Sequence, residues 1–236
     1  MRDTDQAFCL PVPEKAQRAH NFVLFLHQSA PSAEKQFVWS MPETVTDGTK
    51  LGVDSTETYV DVTRAELNIR LKAHGRQVIV PDKHEFASAI PQSHRKGEVG
   101  YHVKAHIGSK EGVLSPPLHQ HSPLTQVLTP GFLFFLPTGI LWAFRKPLSY
   151  YPFERISSIS YTSVLTRTFN LVISHLPPDP AEGEAASEVE FAIIDQADFA
   201  GIDAYIKKHG LNDASLAVER MAKRYGVNAP NKGPGV

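Results

Sequence analysis

Residues 131–173 read GFLFFLPTGILWAFRKPLSYYPFERISSISYTSVLTRTFNLVI. Aromatic and β-branched residues crowd this stretch, as strands require. Pro137-Thr138 separates Gly131–Leu136 from Gly139–Phe144, which is a hairpin signal. Leu148–Phe153, Ile156–Ser163 and Thr168–Ser174 follow as further strands, and Phe169, Leu171 and Ile173 share one face. Upstream, Tyr101, Val103, Ala105 and Ile107 alternate with His102, Lys104 and His106, a strand with one wet face. Downstream, LPPDPAEGEAASE is a solvated loop, and Val189, Phe191 and Ile193 make another strand. A helix then starts at Asp195 as N-cap, with Asp198 in its first turn. It carries the stripe Phe199, Ile202, Ile206 and stops at Gly210. A second amphipathic helix is expected over about Asn212–Tyr225. Strands at short intervals closed by one helix predict a small bent antiparallel barrel plugged at one end.

The first 75 residues repeat the end of that pattern. Phe22–Leu26 and Gln36–Trp39 read as a strand hairpin, and residues 42–58 as loop. Tyr59, Thr63, Leu67 and Leu71 recur every four residues up to Gly75, the signature of a helix and its stop. Two copies of one module in tandem are expected, the first without its opening strands. Its apolar faces at 22–26 and 36–39 are then expected to lean on the second module or stay exposed. The expected organisation is 1–75 as the end of a first domain and 76–98 as a linker with one strand at Gln77–Val80. Residues 99–211 form a complete second domain, and 212–236 a helix and tail.

The chain has 236 residues, 42% hydrophobic and 21% charged, with 24 basic against 25 acidic residues. This composition excludes disordered and fibrous classes. No apolar run approaches the ~18 residues of a membrane helix. MRDTDQAF lacks the layout of a signal peptide. The single cysteine, Cys9, excludes an internal disulfide framework. A soluble intracellular protein is expected. From Arg64 to Lys110 there are nine Lys/Arg against four Asp/Glu, a local +5, whereas 179–190 holds five acids and no base.

Three signatures in the opening stretch carry a resemblance. Arg145-Lys146-Pro147 follows an apolar-Gly strand. Phe-Glu-x-Ile-x-x-Ile-x-Tyr runs from Phe153 to Tyr161, and Arg-Thr-Phe-Asn opens the next strand at Arg167. With AFCLPVPEKAQRAHNFVLFL near the N-terminus, residues 7–211 resemble the fungal tandem pleckstrin-homology (PH) histone chaperones of the regulator-of-Ty1-transposition type. The middle domain of the small FACT subunit is similar. The resemblance implies a mainly β fold of tandem PH-like barrels, each closed by a C-terminal helix, with the first one incomplete here. It implies a nuclear histone chaperone that binds H3–H4, prefers acetylated H3, and acts in nucleosome assembly and heterochromatin silencing. Duplex DNA and other chromatin-assembly factors are its implied partners. The acidic tail common in such chaperones is absent, since the chain ends APNKGPGV.

An acetyl-lysine is neutral and amide-tipped, so its site needs apolar walls and a hydrogen-bonding group. Val164 and Leu165 supply walls; Ser163, Thr166 or Gln196 supplies the bond; Arg167 ends the loop. The implied position of the family's acetyl-lysine contacts falls on these residues. Arg95, Lys96 and Lys104, with Arg145 and Lys146, form the expected DNA-facing set. His119-Gln120-His121 with His102 and His106 lacks the further ligands of a zinc site, so no metal or cofactor is expected. No G-x-S-x-G, P-loop or H-E-x-x-H is present, and a non-enzyme is expected. The alternative is a phosphoinositide-binding or membrane-docking PH adaptor. Against it, Gly108-Ser109-Lys110-Glu111-Gly112 cancels its one lysine with Glu111.

Overall fold

A computed structural model describes residues 1–46, 57–109, 127–177 and 186–212. The chain divides into two compact units, Met1–Tyr101 and His102–Val236.

The first unit contains β1 (Thr4–Pro11), β2 (Ala19–Leu26), β3 (Gln36–Pro42), α1 (Tyr59–Lys72) and β4 (Val78–Ile79). Its sheet runs β3-β2-β1-β4, with β4 parallel to β1. β1 is a strand that alternation does not reveal. Ala7, Phe8, Cys9 and Leu10 are all buried, so both faces are apolar, and prolines close off the run. Cys9, Phe22 and Trp39 lie in one row across three strands, and the Phe22 and Trp39 rings stack at 5.3 Å. Val60, Leu67 and Leu71 of α1 cover this row together with Ala7 and Val78. The expectation of bare apolar faces is therefore corrected for Phe22 and Trp39, whereas Phe37 and Val38 remain exposed. The helix stripe also differs from the expected one. Val60 is buried and Tyr59 exposed, because the contact face begins one residue later.

α1 starts in a capping box. Asp61 N–H donates to Thr58 Oγ1 at 3.2 Å, and the Asp61 carboxylate accepts from Thr58 N–H and Oγ1–H. The Thr58 hydroxyl holds the Asp61 carboxyl below its ordinary value. A depressed carboxylate contributes stability above its unfolded pKa and loses it as pH falls through the folded value. Thr58→Ala is expected to lower first-unit stability by about 1 kcal/mol at neutral pH and by less in acid, read by urea unfolding.

The second unit contains β5 (His102–Ser109), β6 (Val127–Leu136), β7 (Gly139–Ala143), β8 (Ser149–Pro152), β9 (Ile156–Thr162), β10 (Thr168–His175), β11 (Ser187–Asp195) and α2 (Phe199–Lys208). The seven strands run β8-β7-β6-β5-β11-β10-β9. First strand thus meets last, at Phe191↔Ile107 and Ala192↔His106, and joins two meanders into one curled sheet. This is a PH-like half-barrel with a C-terminal helix. Ile202, Tyr205 and Ile206 of α2 are buried. The Tyr205 hydroxyl donates to the carbonyls of Leu136 and Gly139 at 2.7 and 3.1 Å, pinning the helix to the β6–β7 hairpin. Phe199 packs on Tyr161 and Phe169 from β9 and β10.

The Val189/Phe191/Ile193 face is not as expected. The β10–β11 register shifts between Phe169↔Ile194 and Leu171↔Phe191. The extra residue turns Ile193 outward, with φ 58 and 45% exposure, and brings Ile194 into the core. The helix expected over 212–225, the pair His119 and His121, and Lys110 lie outside the described residues.

Candidate functional site

The β9–β10 hairpin loop, residues 163–167, is exposed throughout. Ser163 opens it in the left-handed region at φ 47. Leu165 N–H donates to Thr168 C=O at 2.8 Å and closes it. The closure leaves no room for Leu165 to fold back onto the barrel. Val164 is 55% and Leu165 63% exposed. Two large apolar side chains held in solvent by a closed loop present a surface for a partner.

The turn from β11 into α2 is tied to this loop. Gln196 N–H donates to Arg167 C=O at 2.9 Å, and Asp195 caps the turn by accepting from Ala197 N–H at 2.9 Å. The side-chain oxygen of Gln196 is buried and has no hydrogen-bond partner among the described residues. Such an acceptor carries a desolvation cost that a ligand N–H removes. Ser163, Val164, Leu165, Thr166, Arg167 and Gln196 are thus brought together on one end of the unit.

Beneath the loop lies a positioning residue that the sequence patterning does not single out. Asn170 Nδ2 donates to Glu190 at 2.8 Å, and its Oδ1 accepts from Ile193 N–H at 3.2 Å. Thr162 Oγ1 donates to the same Glu190 oxygen at 2.7 Å. Asn170 therefore holds the β11 bulge, which sets where Gln196 emerges. Its signal is present in Arg-Thr-Phe-Asn, where a polar amide interrupts an apolar strand.

The basic set is not one patch. Arg64 pairs with Asp61 at 2.9 Å and Arg70 with Glu66 at 2.8 Å. Arg95 is corrected from a DNA-facing to an internal residue, with a side chain only 8% exposed. Its guanidinium contacts Glu98 at 2.9 Å and donates to Gln92 at 2.7 Å and to the Lys15 and Val12 carbonyls at 3.0 and 3.4 Å. Lys96 in the first unit, and Lys104, Arg145 and Lys146 in the second, are exposed. Cys9 is buried, and burial pushes its thiol up to about 12, which removes thiolate nucleophilicity near neutral pH. Among the described residues no three His, Cys, Asp or Glu side chains converge to hold a metal ion. No helix among them is long and apolar enough to cross a membrane.

The family described as "Histone chaperone Rttp106-like, middle domain" matches residues 123–215. Three relatives are similar over nearly the whole chain. "Histone chaperone rtt106" of Aspergillus clavatus is 47% identical over 93% of this chain and 46% of its own length. "Histone chaperone RTT106" of Phaeosphaeria nodorum is 41% identical over 97% of this chain and 48% of its own. That of Ajellomyces capsulatus is 42% identical over 96% and 46%. The chain spans about half the length of these curated relatives. With its curled seven-stranded sheet and closing helix, the chain belongs, through residues 123–215, to the Rttp106-like histone chaperone family.

Proposed function

We propose that this chain acts as a nuclear histone chaperone that binds the H3–H4 unit through the second unit's 163–167 loop and Gln196. It prefers acetylated H3 and serves nucleosome assembly and heterochromatin silencing. The observation that carries the reading is the pairing of exposed Val164 and Leu165 with the unpartnered Gln196 oxygen. Acetylation turns a lysine tip from an ammonium into a neutral amide with one N–H and a methyl group. The amide N–H meets the Gln196 oxygen, and the methyl and methylenes lie on Leu165 and Val164. An ammonium finds no carboxylate among these six residues, so the site selects the neutral form. Ser163 and Thr166 hydroxyls, with Arg167, line the entry.

Leu165→Ala combined with Thr166→Ala is expected to weaken binding to H3–H4 carrying acetylated H3 by about 1–3 kcal/mol, and binding to the unmodified form by clearly less. Fluorescence titration of both histone forms reads this. Equal losses for the two forms would remove the acetyl-lysine assignment.

A further inference from the structure

The two units share a construction finer than strand order. β1, β2, β3 and α1 follow one another as β9, β10, β11 and α2 do. Each helix ends on a glycine in the left-handed region, Gly75 at φ 67 and Gly210 at φ 62. The same two capping bonds recur. Gly75 N–H donates to Lys72 C=O and Arg76 N–H to Leu71 C=O; Gly210 N–H donates to Lys207 C=O and Leu211 N–H to Ile206 C=O. After each helix the chain returns beside the first strand of its trio, as β4 on β1 and as Leu211 on Ile159 of β9. The loop tie recurs too. Glu43 N–H donates to Arg18 C=O at 3.0 Å, as Gln196 N–H does to Arg167 C=O at 2.9 Å. Each tied loop holds a residue in the left-handed region, Glu14 at φ 56 and Ser163 at φ 47. Glu43 therefore stands in the first unit where Gln196 stands in the second, an acid in place of an amide.

Beside Glu43 lies a cavity of about 320 Å³ lined by Pro11, Arg18, His20, Glu98 and Tyr101 among others. That volume admits a long side chain. The two arginines at the cavity are engaged. Glu98 takes Arg18 at 2.8 Å on one oxygen and Arg95 at 2.9 Å on the other. Glu43 is not matched in this way. Its ion-pair contact among the described residues is with His20 Nδ1, at a long 3.8 Å. That nitrogen is buried without a hydrogen-bond partner. Burial holds the His20 pKa down, with Arg64 and Arg95 acting in the same sense and Glu43 and Asp61 against it. At neutral pH the ring brings no charge to compensate Glu43. Pro11, Val99 and Tyr101 give the apolar wall that a chain of methylenes needs.

We propose that this cavity is a second lysine-reading site, in which the Glu43 carboxylate takes the unmodified ammonium that the Gln196 site rejects. The Glu43 half stands on its own cavity; only the contrast with Gln196 rests on the function proposed for the second unit.

The test uses the full chain and two blocked tripeptides, acetyl-Gly-Lys-Gly-amide and its Nε-acetyl form, with the His20 ring resonances as readout. A saturable shift with the unmodified peptide is expected, at least about tenfold weaker with the acetylated one. Glu43→Gln, which is isosteric, is expected to lower affinity for the unmodified peptide about tenfold, and Glu43→Asp to restore part of it. Glu57→Gln, which removes an exposed acid elsewhere in the unit, leaves binding unchanged. The Leu165→Ala/Thr166→Ala variant gives the wild-type His20 titration, so failure of acetyl-H3 selectivity does not touch this site. The proposal falls if no saturable shift occurs, if Glu43→Gln binds as wild type, or if Glu57→Gln weakens binding equally. It also falls if inorganic phosphate alone saturates the same shift, which would assign the cavity to anions held by Arg18.

Discussion

Phe191→Ala is expected to destabilise the second unit by about 3–5 kcal/mol, the range for removing a buried aromatic ring. Phe191 is fully buried. Its ring meets Trp142 at 5.3 Å and Tyr151 at 6.1 Å between centroids. It also supplies one of the two register pairs that join β11 to β5. The cavity would open where the two meanders meet, a short seam with little else to hold it. Urea unfolding followed by Trp142 fluorescence in a Trp39→Phe background isolates the second unit. A loss below about 1 kcal/mol would mean the site collapses without cost and the seam is not where the sheet is held together.

Arg95→Glu is expected to cost the first unit about 3 kcal/mol or more, because it leaves Glu98 facing a like charge and strips two carbonyls and Gln92 of their donor. Lys96→Glu, one residue on and exposed, should change stability by no more than about 0.5 kcal/mol. The pair separates fold from function. We propose that exposed cations, Lys96 among them, meet duplex DNA. If they do, Lys96→Glu weakens DNA binding and lowers the salt slope by about one for each phosphate that is no longer neutralised. Reversing Arg95 would mimic that effect by unfolding the loop. An Arg95→Glu protein as stable as wild type would contradict the buried hub.

The second unit was legible because its chemistry repeats at short range. Phe169, Leu171 and Ile173 all point inward, and Asp195 and Gly210 mark the ends of the helical segment. The PH resemblance rested on the same residues. What stayed hidden depended on pairing across distance. β1 has no alternation because both of its faces are covered. The bulge that turns Ile193 outward is set by Asn170 on the neighbouring strand. Arg95 looked like a surface cation because linear charge counting does not see Glu98, Gln92 and two carbonyls folding around it. The loop at 163–167 was readable as an apolar pair among hydroxyls. The unpartnered oxygen of Gln196 was not, since it emerges only when the β11–α2 turn is tied to Arg167.

The central claim is that this chain binds histones through the second unit and does not dock on lipid. The direct measurement is titration of the full chain with H3–H4 carrying acetylated or unmodified H3, alongside sedimentation with phosphoinositide-containing liposomes. Saturable binding to H3–H4, tighter for the acetylated form, with the protein left in the supernatant of the liposomes, is the predicted result. Co-sedimentation with liposomes and no saturable histone binding would contradict it.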